Sequence, residues 1–162
     1  MPTNLIKVYN QLLDLLYPSI ARNLQSLRSV FDRDFCNDTI HCRGIKIEPT
    51  PADGEDKMDR LFRHLTTVVT DQNTKKREFE SVRSVRIHWI RFHLTEKAPE
   101  KILIFKIVDE DRVYLLDKTE RYLVILEPLR NVKAYYLLTA YHLEPANFKK
   151  VMKKFEKRSS PL

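Results

Sequence analysis

The sequence predicts an α+β fold: helices packed on a four-stranded antiparallel sheet, a basic helix at the carboxyl end and a helical extension at the amino end. Three observations predict it. Apolar residues recur at helical spacing as far as residue 95, the period drops to that of strands from residue 101, and Pro145 opens a last, lysine-rich helical stretch. The chain of 162 residues is 43% apolar and 10% aromatic, enough to bury a core, so disorder is not expected.

At the amino end Leu5, Val8, Leu12, Leu13 and Leu16, then Ile20, Leu24, Leu27 and Phe31, lie at helical spacing with Pro18 between them, which predicts two helices. Residues 43–48 alternate and run into Pro49, Pro51 and Asp53-Gly54, a short strand followed by a loop. A helix is expected from Asp56, because Met58, Leu61, Phe62, Leu65, Val68 and Val69 share one arc at about 100° per residue. A second is expected over residues 77–95.

Four strands are expected at residues 101–108, 112–117, 122–127 and 134–143, with connections too short for parallel crossovers. In the first, Ile102, Ile104 and Val108 point one way and Leu103, Phe105 and Ile107 the other, so it is expected to be covered on both sides. Pro145 suits the first position of the final helix, through residue 157.

Several function classes are excluded or disfavoured. The only glycines, Gly44 and Gly54, cannot build a glycine-rich phosphate loop. Asn10, Gln11, Asp14 and Pro18 interrupt the amino-terminal apolar residues, so neither a spanning helix nor a secretory signal is read and a cytoplasmic location is expected. Cys36 and Cys42 are then expected as free thiols. Cys36, His41 and Cys42 resemble the start of a zinc site, but no fourth ligand follows at ordinary spacing, and no metal or other cofactor is expected. Lysine and arginine number 29 against 22 acidic residues, a net charge of +7 and pI of about 9.4, which favours nucleic acid or another anionic partner.

Within the helix expected over residues 77–95, Phe79, Val82, Val85, Ile87, Trp89, Ile90, Phe92 and Leu94 form a broad apolar arc that also holds Arg83, Arg86 and His93. His88, Arg91, Ser84 and Glu80 share the opposite, polar face. A guanidinium turned toward a core needs an anion, either a carboxylate of the protein or a phosphate of a ligand. Arg86 and Arg83 are therefore candidate phosphate-binding groups, with rim exposure or pairing to a residue such as Glu127 as the structural alternative.

On the last expected strand, alternation sends Tyr135, Leu137, Thr139, Tyr141 and Leu143 to one face, so the Thr139 and Tyr141 hydroxyls stand together. They could serve a phosphate, although both residues are also good strand formers. His64 lies just off the apolar arc of its helix, where an imidazole could move protons. In the final helix Phe148, Val151, Met152 and Phe155 make an apolar stripe, while Lys149, Lys150, Lys153, Lys154, Lys157 and Arg158 cover the remainder. This one-sign face suits a polyanion.

The order Phe62-Arg63-His64-Leu65-Thr66-Thr67, then residues 79–91 with Arg86 and Trp89, then Tyr136-Leu137-Leu138-Thr139-Ala140-Tyr141 before a lysine-rich helix resembles the phage-associated branch of the barnase–EndoU–colicin–RelE (BECR) ribonuclease superfamily. The resemblance covers roughly residues 43–158. It implies a compact ribonuclease-type domain over residues 38–162, RNA cleavage without a metal, and kinship with toxins of phage and bacterial conflict. Carried over by motif, the catalytic residues are His64, Arg86, Thr139 and Tyr141. Arg83, Arg91, Lys149, Lys150, Lys153, Lys154 and Lys157 are expected to bind RNA. Residues 1–37 lie outside the resemblance and are expected to form a helical extension able to bind a protein such as an antitoxin.

The expected reaction is attack of the ribose 2′-hydroxyl on the adjacent phosphorus, with His64 moving protons, Arg86 and Arg83 stabilising charge, and Thr139 and Tyr141 orienting the phosphate. A non-catalytic RNA-binding module and a protein-interaction factor with incidental basic charge are the alternatives.

Overall fold

The computed structural model describes residues 3–107 and 110–161, and the fold is α+β. Val108 and Asp109, expected at a strand end and in the following turn, lie outside the described residues. The chain divides into two compact units. One takes the residues through Thr39 together with Pro51–Arg91, the other Ile40–Thr50 with the residues from Phe92 onward.

In the first unit the second amino-terminal helix forms as expected, α1 (Ile20–Phe31), and runs into a wider π-type turn over Asp32–Cys36. The first does not form. After a 3-10 turn at Thr3–Ile6 the chain is irregular through Ser19, because side chains satisfy backbone groups that a helix would have paired. Asn4 accepts from the Asp14 amide at 2.7 Å and donates to its carbonyl at 3.0 Å, and Asn23 does the same for Tyr17 at 3.0 and 2.9 Å. Trp89 Nε1 donates to the Gln11 carbonyl and His88 Nε2 to that of Val8, while Asn10 turns with φ 65°. Leu13 is buried, whereas Ile6, Val8, Leu12 and Leu16 are exposed.

Helix α2 (Lys57–Thr66) starts where Asp56 caps it, accepting from the amides of Met58 and Asp59. It ends at a run of β-branched residues, and Val68 and Val69 belong to a strand. Strand β3 (Thr67–Asp71) pairs antiparallel with β4 (Lys76–Phe79). The expected helix over residues 77–95 is thus replaced by β4 and two short helices, α3 (Ser81–Ser84) and α4 (Trp89–Leu94). Glu80 caps α3 by accepting from the amides of Val82 and Arg83. The assumed polar face does not exist, since Ser84 and His88 are buried. Leu13, Leu27, Val30, Phe31, Phe35, Leu61, Phe62, Leu65, Ile87, Trp89 and Ile90 are buried apolar residues of this unit, and Phe31 stacks tilted on Phe35 and edge-on to Phe62.

The four expected strands appear in the second unit as β5 (Ile102–Ile107), β6 (Glu110–Asp117), β7 (Tyr122–Pro128) and β8 (Ala134–His142), an antiparallel meander. The sheet is larger than the four-stranded antiparallel one expected. Among the described residues it has seven strands, with β9 (Arg158–Pro161) beside β5, and beyond β8 the strands β2 (Ile45–Pro49) and β1 (His41–Cys42). Strand β2 runs parallel to β8, so the sheet is mixed. The long intervening chain permits this, where a short connection would not. Arg43 and Gly44, both at positive φ, turn β1 into β2 in the manner of a tight primed hairpin.

Helix α5 (Pro145–Glu156), with Pro145 in its first turn, covers one sheet face through Phe148, Val151, Met152 and Phe155 against Phe105, Tyr114, Leu116, Leu123 and Ile125. Ile104, Val113, Val124, Leu126 and Leu137 are buried too, so the central strands are covered on both faces, as expected of β5. A bulge in β8 alters its alternation. Ile125 faces Thr139 and Leu126 faces Leu137, with Leu138 as the extra residue. Thr139 and Tyr141 therefore share the α5 face while Leu137 and Tyr135 occupy the other, which corrects the five-residue row expected on one face.

Candidate functional site

The first unit gathers basic side chains where α2 gives way to the β3–β4 hairpin. Arg60, Arg63 and His64 come from the last two turns of α2. The hairpin returns Arg77 opposite Val69, on the face that Val69 shares with Thr67, and α3 supplies Arg83. Thr67 joins these pieces. Its carbonyl accepts from Arg77 Nη2 at 2.8 Å and from Arg83 Nη1 at 3.0 Å. Its hydroxyl accepts from Arg77 Nε at 2.8 Å and donates to the Arg63 carbonyl at 2.6 Å. Arg77 Nη2 also reaches the His64 carbonyl at 3.3 Å.

His64 Nε2 is buried with no hydrogen-bond partner among the described residues. Burial pushes the imidazole down from 6.5 to about 4, and the charges of Arg83, Arg77 and Arg60 push the same way. The Arg77 guanidinium is itself lowered, by burial first and then by Arg63 and Arg60. Arg63 is neutralised by a two-point pair with Glu55, both contacts at 2.7 Å. Arg83, Arg77 and Arg60 all act on His64 with positive charge, an arrangement that an oxyanion would relieve and a metal cation would worsen.

The other expected residues are placed differently. Arg86 donates to the Val82 carbonyl and lies over the Trp89 ring at 5.2 Å. Arg91 donates to the Asp34 carbonyl at 2.7 Å and pairs with Asp38 at 3.6 Å. His64, Arg83, Arg86 and Arg91 belong to the first unit; Thr139 and Tyr141 belong to the second. Tyr141 is half-buried against the core that α5 covers. Lys149, Lys150, Lys153 and Lys157 are exposed. Lys154 instead reaches Glu110 at 2.7 Å and the Tyr114 hydroxyl at 3.1 Å. His93 is buried edge-on to Tyr122.

Sequence reasoning missed Thr67, Arg77 and Arg60. The β-branched run Thr66-Thr67-Val68-Val69-Thr70 followed by Asp71-Gln72-Asn73-Thr74 was the available signal for a hairpin. With that hairpin, Arg77 returns toward His64.

Cys36 is an exposed and Cys42 a buried free thiol, and no group of three or more metal-ligating residues occurs among the described residues. No helix among them is long and apolar enough to cross a membrane. No protein-family model, curated protein or solved structure matches the chain.

Proposed function

We propose that this chain is a cytoplasmic, metal-independent endoribonuclease related to the phage-associated BECR branch and acting as a toxin of phage or bacterial conflict. The observation that carries the reading is His64, a half-buried imidazole whose enclosed Nε2 has no hydrogen-bond partner among the described residues, set among Arg60, Arg77 and Arg83. The meander β5–β8 with α5 across one face supports the implied ribonuclease-type sheet, and the exposed lysines of α5 support a polyanionic substrate.

In the proposed reaction the ribose 2′-oxygen bonds to the adjacent phosphorus as the bond to the 5′-oxygen breaks. The 2′-hydroxyl loses its proton to a base, and the departing 5′-oxygen takes one up. His64 moves protons, and Arg77 with Arg83 bears the charge that grows on the phosphorane oxygens. Arg86, Thr139 and Tyr141 remain residues assigned by the resemblance, and residues 1–37 the proposed surface for a neutralising protein.

The test is purified protein with total RNA and a chelator. The expected products carry 2′,3′-cyclic phosphates, a 2′-deoxy sugar at the cut site blocks cleavage, and His64→Gln lowers the rate by about a hundredfold or more. Cleavage that needs an added divalent metal, or an unimpaired His64→Gln protein, overturns the mechanism. One observation favours a second reading, a non-catalytic RNA-binding module: an imidazole held near 4 is a weak base at neutral pH. Salt-sensitive RNA binding without turnover would select it.

A further inference from the structure

We propose that Thr67 is a positioning residue that joins Arg77 and Arg83 into one receptor for a single phosphate group, with His64 Nε2 as its third contact. The inference rests on reading the surroundings of His64 as the place where an RNA phosphate sits. It adds the two residues that build that place and the ligand chemistry it takes, an oxyanion with several acceptor oxygens.

A guanidinium has five N–H donors in a fixed plane. In Arg77 the Nε donor goes to the Thr67 hydroxyl, and Nη2 serves the carbonyls of Thr67 and His64. Three donors are thereby committed to holding the side chain, and the two on Nη1 are left in a defined direction. The Thr67 hydroxyl is fixed in turn, because its proton goes to the Arg63 carbonyl and a lone pair is left for Arg77.

The same residue's carbonyl draws in Arg83 Nη1, so one backbone oxygen holds two guanidiniums together despite their repulsion. Glu80 holds the start of the short helix α3 by accepting from the Arg83 amide at 2.7 Å. A tetrahedral phosphate offers oxygens to both cations at once, and one more to an imidazole N–H. The position follows from the fold. Thr67 is the residue at which α2 becomes β3, so its carbonyl has left the helical ladder and is available to side chains.

The probe is inorganic phosphate, followed through the His64 ring resonances by NMR, with a ribonucleoside 3′-monophosphate as a second titrant. Saturable binding is expected in the native chain. Thr67→Val, which keeps the branched shape and removes the hydroxyl, should weaken it about tenfold or more, and Thr67→Ser should restore it to within about threefold. A purely structural threonine would not give that rescue at equal thermal stability. Arg77→Lys guards against a misfolded Thr67→Val: it keeps the charge and loses the fork, so a drop of about tenfold is again expected.

Native-like affinity in a folded Thr67→Val protein or in Arg77→Lys overturns the receptor. RNA cleavage that depends on His64 while phosphate affinity ignores Thr67 and Arg77 removes the receptor and leaves the ribonuclease. Phosphate binding with the expected dependence, in a protein that neither cleaves nor binds RNA, does the reverse.

Discussion

At pH 7 the His64 imidazole is uncharged, because burial and three nearby arginines hold its proton affinity near 4. A bound phosphate reverses part of that balance, since it adds negative charge beside the ring and cancels the guanidinium field. Binding of a phosphate diester, which has no ionisation of its own in this range, should therefore take up protons, and its affinity should rise as pH falls from 7 toward 5. Calorimetry in buffers of different ionisation enthalpy measures the uptake directly. His64→Gln should abolish it, and an uptake unchanged in that variant would assign the proton to another group. His64 itself was legible in the sequence as a boundary residue of an amphipathic helix. Its company was not, because Arg77 reaches it only through a strand pairing that helical periodicity hid. Asn4 and Asn23 carry the same lesson, since no periodicity reveals that two amides will replace a helix's hydrogen bonds.

Among the elements, α5 was the most legible: an apolar stripe of Phe148, Val151, Met152 and Phe155, opened by Pro145, left its lysines outward. Lys149, Lys153 and Lys157 are exposed, and replacing all three by glutamine should change stability little. If each meets one phosphate, the logarithmic salt slope for single-stranded RNA should flatten by roughly two units, at about 0.7 per contact. An unchanged slope would show that RNA does not follow this helix. Lys154 should behave differently from its neighbours. Its ties to Glu110 and Tyr114 predict that Lys154→Gln costs about 0.5–1 kcal/mol, measured by urea unfolding, with no comparable effect at Lys153. The bulge at Leu138 was not legible, because inserting one residue shifts the alternation without changing which residue types occupy the strand.

Across the whole molecule, the stability of the chain should fall on mild acidification. His64 and His88 are both held near 4 in the folded state, against about 6.5 when exposed. The unfolded chain therefore binds more protons between those values, and stability is lost as pH falls from about 6.5 to 4. Denaturant midpoints at pH 7, 6 and 5 should decline, with a shallower slope in His64→Gln and in the presence of phosphate. A flat profile would mean that both imidazoles titrate normally. At this scale the α+β class and the β5–β8 meander could be read from period and turn spacing. The mixed character of the sheet could not, since β2 is short and its partner lies far along the chain.

That distant partnership bears on how the protein is made. On a ribosome the hairpin β1–β2 emerges early, yet the strand it joins is complete only when residue 142 has been synthesised. Residues 51–91 of the first unit are translated in between, so one unit can close while the other still waits with an unfilled strand edge. A nascent chain that has emerged from the ribosome only as far as residue 133 should leave Cys42 reactive toward a thiol probe, and one that has emerged beyond residue 143 should bury it, as it is buried in the finished fold. A nascent chain protected at both lengths would show that the hairpin finds another cover before its sheet exists. The interval between the two lengths is the window in which a holdase would find a reason to bind.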